Sequence, residues 1–269
     1  MTLNDMAYLT HSEAWFTETN ITRIHGRETA PRGMTTYERP WVQFSVDNPL
    51  TFPVKADGRK FADVIGVLEA TALVGQFSVP ELFTSRISKF AEFMDDGVFH
   101  GAYAVRAHGA LGDIVNLLDR DPHSRQAVIS VFDSTRDLDR AKRDIPCTIA
   151  IQFLTHGMTL EARTTMRSND LWLGTPYDLI QFSVLQASVA QALGLEPGKY
   201  THSVGSLHLY DRDLAKLEKV TEYIDAPPMA FPLWGCEDDI AEISARARAL
   251  AFGTLRPETE FEEWARDLL

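Results

Sequence analysis

The chain has 269 residues, with 38 acidic against 26 basic side chains, so its formal net charge is −12. This length suits one large domain with a sizeable core, and a hydrophobic content of 45% is ordinary for a globular protein, which excludes a disordered chain. The acidic balance argues against general nucleic-acid binding, because such binding needs clustered positive charge. The two cysteines are too few for a disulfide framework and favour a reducing compartment.

No targeting or membrane segment is expected from the sequence. The first 16 residues lack the basic start and the apolar core of a signal peptide. Acidic or amide side chains interrupt the apolar stretches 61–74 and 179–195, so neither is suited to crossing a bilayer. We therefore expect a cytoplasmic protein with no membrane partner and no nucleic-acid partner.

Helical and strand patterns alternate along the chain without a repeat or a linker, and they predict a single α/β domain over residues 1–269. Apolar and polar side chains alternate over 160–166, which predicts a strand with one solvated face. Pro176 favours a helix start and Gly194 a helix end, so 176–193 is predicted to be helical. The other predicted elements, in chain order, are a loop at 27–34, a strand at 41–46, a helix at 61–74, and strands at 127–132, 148–154 and 203–210.

Three parts of the sequence carry side chains suited to chemistry on an anionic substrate. Cys147 is one, although a free cysteine is usually a small buried hydrophobe and a reactive one needs a cation to hold its thiolate. Arg167 and Ser168 end a predicted strand, where they suit either a phosphate or a solvated edge. His208 and Tyr210 share one face of another strand, which is also typical of a half-buried sheet face. Each part alone leaves an ordinary structural explanation open.

Taken together, these parts follow in an order that resembles the thymidylate synthase family. The likeness spans about residues 25–215 and is densest from 145 to 210. Its downstream elements read P-C at 146–147, R-S-x-D-x-x-L-G-x-P-Y-D at 167–178, G-L-E-P-G at 194–198 and H-L-Y at 208–210. Upstream, the P-R-G sequence at 31–33, together with Glu38, is similar to the family's phosphate-binding loop. Residues 61–75 are similar to the family's helix that carries a catalytic glutamate. The S-R-Q sequence at 124–126 is similar to a Ser-Arg-Arg element, with glutamine in place of the second arginine.

The resemblance implies a mixed α/β (α+β) fold with a large, mostly antiparallel or mixed β-sheet flanked by helices, and a two-fold dimer through the sheets. It implies that the Cys147 thiolate adds to C6 of a pyrimidine nucleotide and makes C5 a nucleophile toward 5,10-methylenetetrahydrofolate. Glu69 would assist proton transfer through water, while Arg167 would hold the substrate phosphate and favour the thiolate. Cys147, Glu69 and Arg167 are thus the expected catalytic residues, and no metal is expected.

The same motifs imply the substrate-binding residues. Arg32 and Ser168 would complete the phosphate site, and Arg125 would reach it from the partner subunit of a homodimer. His208 and Tyr210 would bind the 3′-hydroxyl of the sugar. The long motif adds three further positions, namely Asp170 near the base and the folate, Gly174, and Asp178.

One departure from the synthases concerns the base. Synthases end the long motif with an asparagine, whose amide meets O4 and N3–H of uracil together, whereas this chain has Asp178. A carboxyl group accepts from the N4 amine of cytosine and can share a proton with N3, and this replacement resembles the cytidylate hydroxymethylases of the family. We therefore expect dCMP as the substrate; a simple helix cap is the structural alternative for Asp178.

A second departure concerns the product. Phe90 and Phe93 stand where synthases have two tryptophans, and the smaller rings could admit a water that adds to the methylene and gives 5-hydroxymethyl-dCMP. Residues 263–269 are unlike the small apolar tail of the synthases, and a more open site again favours water over hydride. Thr148 replaces a histidine that often follows the cysteine, which leaves the nucleophile intact but weakens the transfer of the synthase's base-side hydrogen bonds to this chain.

Four alternatives remain open: a CMP hydroxymethylase of a nucleoside-antibiotic pathway, a thymidylate synthase, a dUMP hydroxymethylase, and a catalytically silent nucleotide- or RNA-binding relative. Ser168 and Arg125 resemble the deoxynucleotide enzymes but do not exclude CMP, and Asp178 opposes both uracil substrates. The combination of Cys147, Glu69 and Arg167 opposes the silent relative, and the charge of −12 gives no support for RNA. A metal hydrolase is discarded because the sequence has no H-x-x-x-H pair near carboxylates.

Overall fold

The computed structural model describes residues 5–138 and 143–269. The first four residues of the N-terminal segment discussed above, and residues 139–142 of the predicted domain, lie outside the described residues. The strands are β1 (Asp5–Tyr8), β2 (Arg27–Thr29), β3 (Thr36–Val46), β4 (Val128–Ser130), β5 (Thr148–His156), β6 (Thr159–Met166), β7 (Asn169–Asp170) and β8 (Glu196–Tyr210). The helices are α1 (His11–His25), α2 (Asp63–Gly75), α3 (Pro80–Arg86), α4 (Tyr103–Arg106), α5 (Ala110–Arg120), α6 (Ser134–Asp137), α7 (Thr175–Ala192), α8 (Asp211–Leu217), α9 (Ile240–Ala251) and α10 (Glu260–Leu268).

The strands of the described residues form one mixed sheet in the order β1-β3-β8-β6-β5-β4. The pairs β3–β8, β5–β6 and β4–β5 are antiparallel, whereas β6–β8 and β1–β3 are parallel. The short strands β2 and β7 pair with β3 and β8. The expectation of a mixed α/β fold with a large sheet flanked by helices is confirmed, and the two-fold dimer stays a prediction.

Helix α7 lies behind the sheet and is buried on every side, from Thr175 to Gln191. The Gln186 amide group donates to the carbonyls of Leu160 and Gly198, 2.8 Å away in each case, and so ties α7 to β6 and β8. These hydrogen bonds and the burial of the helix hold α7 over the strands that carry the site.

Helix α2 crosses α7 at close range because residue 66 is a glycine. A Cβ at Gly66 would stand 2.8 Å from Ile180 Cδ1 and 3.2 Å from the Tyr177 carbonyl oxygen. Glu69 lies one turn further along α2, so the close contact at Gly66 fixes the distance between Glu69 and α7.

Strand β6 shows the predicted alternation. Leu160 and Met166 are buried, while Arg163 is exposed on the opposite face. There the Arg163 guanidinium donates to Gln43 Oε1 (2.7 Å) on β3 and to Ser203 Oγ (3.1 Å) on β8. One face of the sheet is therefore apolar and covered by helices, and the other is a hydrogen-bonded polar surface.

The structure differs from the prediction at β8, which begins at Glu196 and not near residue 203. Pro197 and Gly198 are typical of turns, which hid the first part of this strand. Pro197 pairs with Leu160 beside an irregularity in the β6–β8 register, so its missing N–H falls where the ladder is already interrupted. The loop predicted at 27–34 contains β2 and a 3₁₀ turn, Pro31–Gly33. The other predicted strands and helices are confirmed with shifted ends.

Within the described ranges, none of the helices combines the length and hydrophobicity that a bilayer crossing requires.

Candidate functional site

Two adjoining cavities lie where β5 begins and β6 ends. The first, here named the cysteine cavity, has a volume of about 330 Å³, and the second, the histidine cleft, about 480 Å³. They share a wall formed by Arg32, Arg143, Ile145 and Arg167. Three of these four side chains are guanidinium groups, so this part of an acidic protein is suited to an anion.

The two cavities bring seven of the predicted site residues together. Cys147 and Glu69 line the cysteine cavity; Ser168, His208 and Tyr210 line the histidine cleft; Arg32 and Arg167 line both. The predicted residues that line neither cavity are Arg125, Asp170, Gly174 and Asp178. The last three lie in the segment that runs from β7 to the first turn of α7.

The backbone around Cys147 is held by hydrogen bonds from Arg167, the residue that follows β6. The Arg167 N–H donates to the Cys147 carbonyl (2.8 Å), while the Arg167 guanidinium donates to the carbonyls of Pro146 and Ile145, both at 3.0 Å. Burial raises the pKa of the Cys147 thiol, and the positive charge of Arg167 opposes that rise. Arg32 also lowers the pKa of this thiol, so the thiolate depends on the cationic wall.

Glu69 reaches the same cavity from α2. Burial raises the pKa of its carboxyl group to about 8, and the neighbouring carboxyls of Asp178 and Asp144 add to the rise. Its side chain forms no hydrogen bond with another described residue, so it is available to a ligand or a water. A carboxyl group that titrates near neutral pH is suited to both giving and taking a proton.

Asp178 lies in the first turn of α7 but does not cap the helix, whose N-cap is Gly174 without a side-chain bond. Its Oδ2 accepts from Asn169 Nδ2 (2.6 Å) and its Oδ1 from Gln181 Nε2 (2.7 Å). Burial raises the pKa of Asp178 to about 7, against the two amide donors that lower it. The helix-cap explanation is therefore wrong, and Asp178 is a buried carboxyl group held by two amides.

Gly174 permits this arrangement sterically. A Cβ at residue 174 would stand 2.9 Å from Asn169 Nδ2 and 3.1 Å from the Asp170 carbonyl oxygen. The Asp170 carboxyl group accepts from the Trp172 N–H (2.7 Å), and burial raises its pKa. The segment is thus folded against itself, and a larger residue at 174 would push Asn169 away from Asp178.

His208 and Tyr210 lie side by side in the histidine cleft. Their ring centroids are 5.3 Å apart and the rings are nearly perpendicular, at 84°. Glu38 of β3 lies opposite His208 in the sheet and accepts from Ser206 Oγ (2.9 Å). Together with Ser168, the cleft offers hydroxyl, imidazole and carboxyl groups beside the arginine wall, which suits a phosphorylated sugar.

Sequence reasoning gave no site role to several residues that line the cysteine cavity, among them Tyr103, Arg143, Asp144 and Gln181. The Tyr103 hydroxyl accepts from the Thr148 N–H (3.3 Å), and its ring stacks on Phe182. The Asp144 carboxyl group accepts from the Gly101 N–H (2.7 Å). Tyr103 and Gly101 lie in the G-A-Y segment that follows the two phenylalanines of the predicted site, and this was the signal available for them.

A cluster of phenylalanines forms another wall of the cysteine cavity. Phe90 packs edge-on against Phe83 (5.4 Å between centroids) and Phe99 (6.1 Å), and Phe93 remains 52% exposed. Phe90 and Phe93 therefore lie at the cavity, as the sequence predicted. Leu269 packs against the same cluster, so the last residues of the chain adjoin this wall.

Comparisons with known proteins agree on one family. A family model described as thymidylate synthase matches residues 87–246. The chain is 25% identical over 170 residues to a thymidylate synthase of Phytoplasma mali (strain AT), which covers 57% of each chain. It is 28% identical over 211 residues to a deoxyuridylate hydroxymethyltransferase of Pseudomonas phage M6, covering 76% of this chain and 58% of that protein.

A third relative is a bifunctional dihydrofolate reductase-thymidylate synthase of Zea mays, 29% identical over 143 residues, which are 53% of this chain and 26% of the relative. The chain thus spans little more than half of the first two curated relatives and about a quarter of the third.

The raised pKa of Glu69 makes stability depend on pH. The folded protein holds the Glu69 proton up to pH of about 8, whereas the unfolded chain releases it near its ordinary value of 4.5, so the free energy of unfolding falls as pH rises between these values. Glu69→Gln removes this dependence. Between pH 5 and pH 8, we expect the free energy of unfolding of the wild type, measured in urea, to fall by about 1–4 kcal/mol more than that of the variant. The exposed Glu81→Gln on α3 is the matched control, and an equal pH dependence of wild type and Glu69→Gln would contradict the assignment.

The dependence of the thiolate on Arg167 is testable by alkylation. In a Cys236→Ser background, which leaves Cys147 as the sole cysteine of the chain, Arg167→Met should slow iodoacetamide modification at pH 8, because loss of the positive charge raises the pKa of the Cys147 thiol and lowers its thiolate fraction. Arg167→Lys keeps the charge and should retain most of the rate. Equal rates in the Met and Lys variants, measured by mass spectrometry, would show that charge is not the cause.

Proposed function

The chain belongs to the thymidylate synthase family, and on that premise we propose that it transfers a one-carbon unit to C5 of dCMP and releases 5-hydroxymethyl-dCMP. The observation that carries this proposal is the shared cavity of Cys147, Glu69 and Arg167. A thiol, a proton-transferring carboxyl group and a cation in one cavity are the groups that addition to a pyrimidine ring requires.

Cys147 is the proposed nucleophile. Its thiolate adds to C6 of the pyrimidine, and the electron pair of the C5–C6 double bond moves to C5, which becomes the carbon nucleophile. Arg167 favours the thiolate by its charge, and its hydrogen bonds to the carbonyls of Ile145 and Pro146 hold it beside the sulfur. The addition is reversed at the end, when the sulfur leaves C6 and the ring regains its double bond.

The phenylalanine wall fits the proposed one-carbon donor, 5,10-methylenetetrahydrofolate. When bound, the folate supplies a carbon at the oxidation level of formaldehyde. Phe83, Phe90 and Phe93 offer apolar ring surface within the cavity that holds Cys147, which suits a flat heteroaromatic ring. Asp170 remains the proposed polar group near the base and the folate, although it does not line the cavity of the free chain.

Glu69 is the proposed group for proton transfer, through a water, at the ring and at C5. C5 must lose its hydrogen as a proton before the final double bond forms, and a carboxyl group with a pKa of about 8 accepts and returns such a proton near neutral pH. The absence of a hydrogen bond from Glu69 to any other described residue supports this role, because the carboxyl group is then free to meet a water.

The histidine cleft is the proposed site of the sugar phosphate. Arg32, Arg167 and Ser168 would bind the phosphate, and His208 with Tyr210 the 3′-hydroxyl, because these groups line one continuous cleft.

Arg125 is the proposed contribution of a second subunit to this phosphate site. Its side chain is exposed and lines neither cavity of its own chain. A homodimer formed through the polar faces of the two sheets is proposed to bring it to the cleft of the partner. The polar surface around Arg163 is the face available for such a contact.

Cytosine is the proposed base because of Asp178. A carboxyl group accepts from the C4 amine of cytosine and, when protonated, donates to N3, and the pKa of about 7 allows Asp178 to hold that proton near neutral pH. Once the methylene has passed to C5 and tetrahydrofolate has been released, addition of water to that methylene is the proposed final step, since Phe90 and Phe93 leave room that two indoles would fill. The phage relative named for deoxyuridylate hydroxymethylation favours a second candidate, the same reaction on dUMP.

The deciding assay offers dCMP, CMP and dUMP separately with methylenetetrahydrofolate and identifies the C5 substituent by mass. We expect 5-hydroxymethyl-dCMP as the main product, and none from Cys147→Ala, with Cys236→Ser as the matched control that keeps activity. A methylated or hydroxymethylated uracil nucleotide as the main product would overturn the cytosine proposal. Product from Cys147→Ala at wild-type rate would overturn the covalent mechanism.

Replacing the buried carboxyl group by an amide should change the base preference. Asp178→Asn should lower the ratio of kcat/KM for dCMP to that for dUMP by roughly tenfold to a hundredfold, since an unmatched buried polar group costs about 1–3 kcal/mol. An unchanged ratio would mean that another residue sets the base preference.

A further inference from the structure

The cysteine cavity holds a second carboxyl group besides that of Glu69. Among the described residues that line the cavity, Glu69 and Asp144 are the two that carry carboxyl groups. Glu69 comes from α2, whereas Asp144 lies three residues before Cys147, in the segment that precedes β5. The cysteine is therefore accompanied by two acids on separate elements of the fold, and the proposed function uses only one of them.

Asp144 has one oxygen fixed and the other free. Its Oδ2 accepts from the Gly101 N–H (2.7 Å). A Cβ at residue 101 would stand 2.8 Å from Asp144 Oδ1 and 3.0 Å from the Pro146 backbone nitrogen, so the glycine lets these two segments meet. Oδ1 has no hydrogen-bond partner among the described residues and is not sealed from solvent, unlike the orphan Thr148 Oγ1. This oxygen is open to a water in the cavity.

The negative charge of Asp144 acts on both reacting side chains. Burial raises the pKa of the Cys147 thiol and of the Glu69 carboxyl group, and the charge of Asp144 adds to both rises. The charge thus opposes the thiolate. Holding the Gly101 N–H requires only an acceptor, and an amide would supply one without this cost. A role in holding the backbone therefore does not account for a carboxyl group at residue 144, whereas a role in proton transfer does.

The proposed reaction releases two protons in succession, and Glu69 accounts for one. The first leaves C5, and Glu69 is the proposed group for it. The second leaves the water that adds to the methylene, after tetrahydrofolate has been released, so it needs an acceptor in the cavity. A carboxyl group that holds the C5 proton does not accept another. The last step therefore calls for a second base on the same cavity wall.

We propose that Asp144 is a catalytic residue, the base that takes a proton from the water that adds to the methylene. This inference rests on the proposed function and assigns its final step. As the water oxygen bonds to the methylene carbon, its O–H bond breaks and the proton passes to Asp144 Oδ1. The electron pair of the exocyclic double bond forms the C5–C6 double bond, and the Cys147 sulfur leaves C6 as the thiolate. Burial raises the pKa of Asp144, which makes its carboxylate a better proton acceptor.

The test measures how the methylene is shared between water and an added thiol. With dCMP, methylenetetrahydrofolate and 2-mercaptoethanol at pH 8, water gives the 5-hydroxymethyl product and the thiol gives a 5-thioether, and mass spectrometry gives the ratio of the two. The thiolate form of the reagent needs no base, so the ratio isolates deprotonation of the water. Both products arise from one methylene species on one preparation, so a slower early step or a lower folded fraction cancels from the ratio.

The variant Asp144→Asn keeps an oxygen for the Gly101 N–H and loses the base. Asp95→Asn is the matched control, because the Asp95 carboxyl group accepts from the Arg143 N–H (2.8 Å) and so holds the same segment, yet lines neither cavity. We expect Asp144→Asn to lower the hydroxymethyl-to-thioether ratio about tenfold or more, since a general base contributes typically ~10²–10⁴-fold. Asp95→Asn should stay within about twofold of the wild-type ratio.

A wild-type ratio in Asp144→Asn overturns the inference. An equal fall in Asp95→Asn also overturns it, because the position of the segment is then the cause. Should Asp144→Asn give neither product, Asp144→Ala is compared with and without formate, a carboxylate supplied from solution. Formate should raise the ratio of that variant, and an unchanged ratio counts against Asp144 as the base. A wild type that forms no 5-hydroxymethyl nucleotide overturns the proposed function itself, and this outcome is seen before any variant is compared.

Discussion

The site depends on the way Arg167 is bound to the segment before β5. Its backbone N–H holds the Cys147 carbonyl, and its guanidinium holds the carbonyls of Ile145 and Pro146. One residue thereby joins the end of β6 to the start of β5, fixes the backbone around the sulfur and brings a positive charge to it. The same guanidinium forms part of the wall between the two cavities, so the cysteine and the anion site cannot move independently of each other.

The buried helix α7 adds the second constraint. It places Asp178 and Gln181 on one side, one turn apart, and receives a hydrogen-bond chain from β8 through Asn169. Charges are costly in such an interior unless they are matched by donors, which explains why Asp178 has an amide on each oxygen. The proposed chemistry at Cys147 and the proposed base recognition are thus built on the same sheet and helix.

The sequence could predict those parts of the fold whose pattern is periodic. The alternation of apolar and polar side chains over 160–166 identified β6, and Pro176 and Gly194, as signals of a helix start and a helix end, identified α7. The early start of β8 could not be predicted, because Pro197 and Gly198 favour a turn unless a partner strand and Gln186 hold them. At these residues, hydrogen bonds from other parts of the fold stabilise a strand in spite of the local preference for a turn.

The candidate site was predictable where its residues belong to spaced motifs, as Cys147 and Arg167 do. Gln181 has no such motif, and its only signal is a position one helical turn after Asp178, which gains meaning once the cavity is known. The position of Arg125 relative to a partner subunit depends on a second chain, and a single sequence does not determine that geometry.

The glycine at position 66 has a consequence for redesign of this molecule. The two helices approach so closely there that the position of Glu69 is set by backbone atoms of α7 and by the side chain of Ile180, neither of which can shift easily. Position 66 therefore acts as a spacer: each added methyl group would push α2 away from α7 and shift Glu69 within the cavity, while leaving Glu69 and Cys147 chemically unaltered. A graded series at this one residue would convert helix separation into an adjustable placement of the proposed acid relative to the proposed nucleophile.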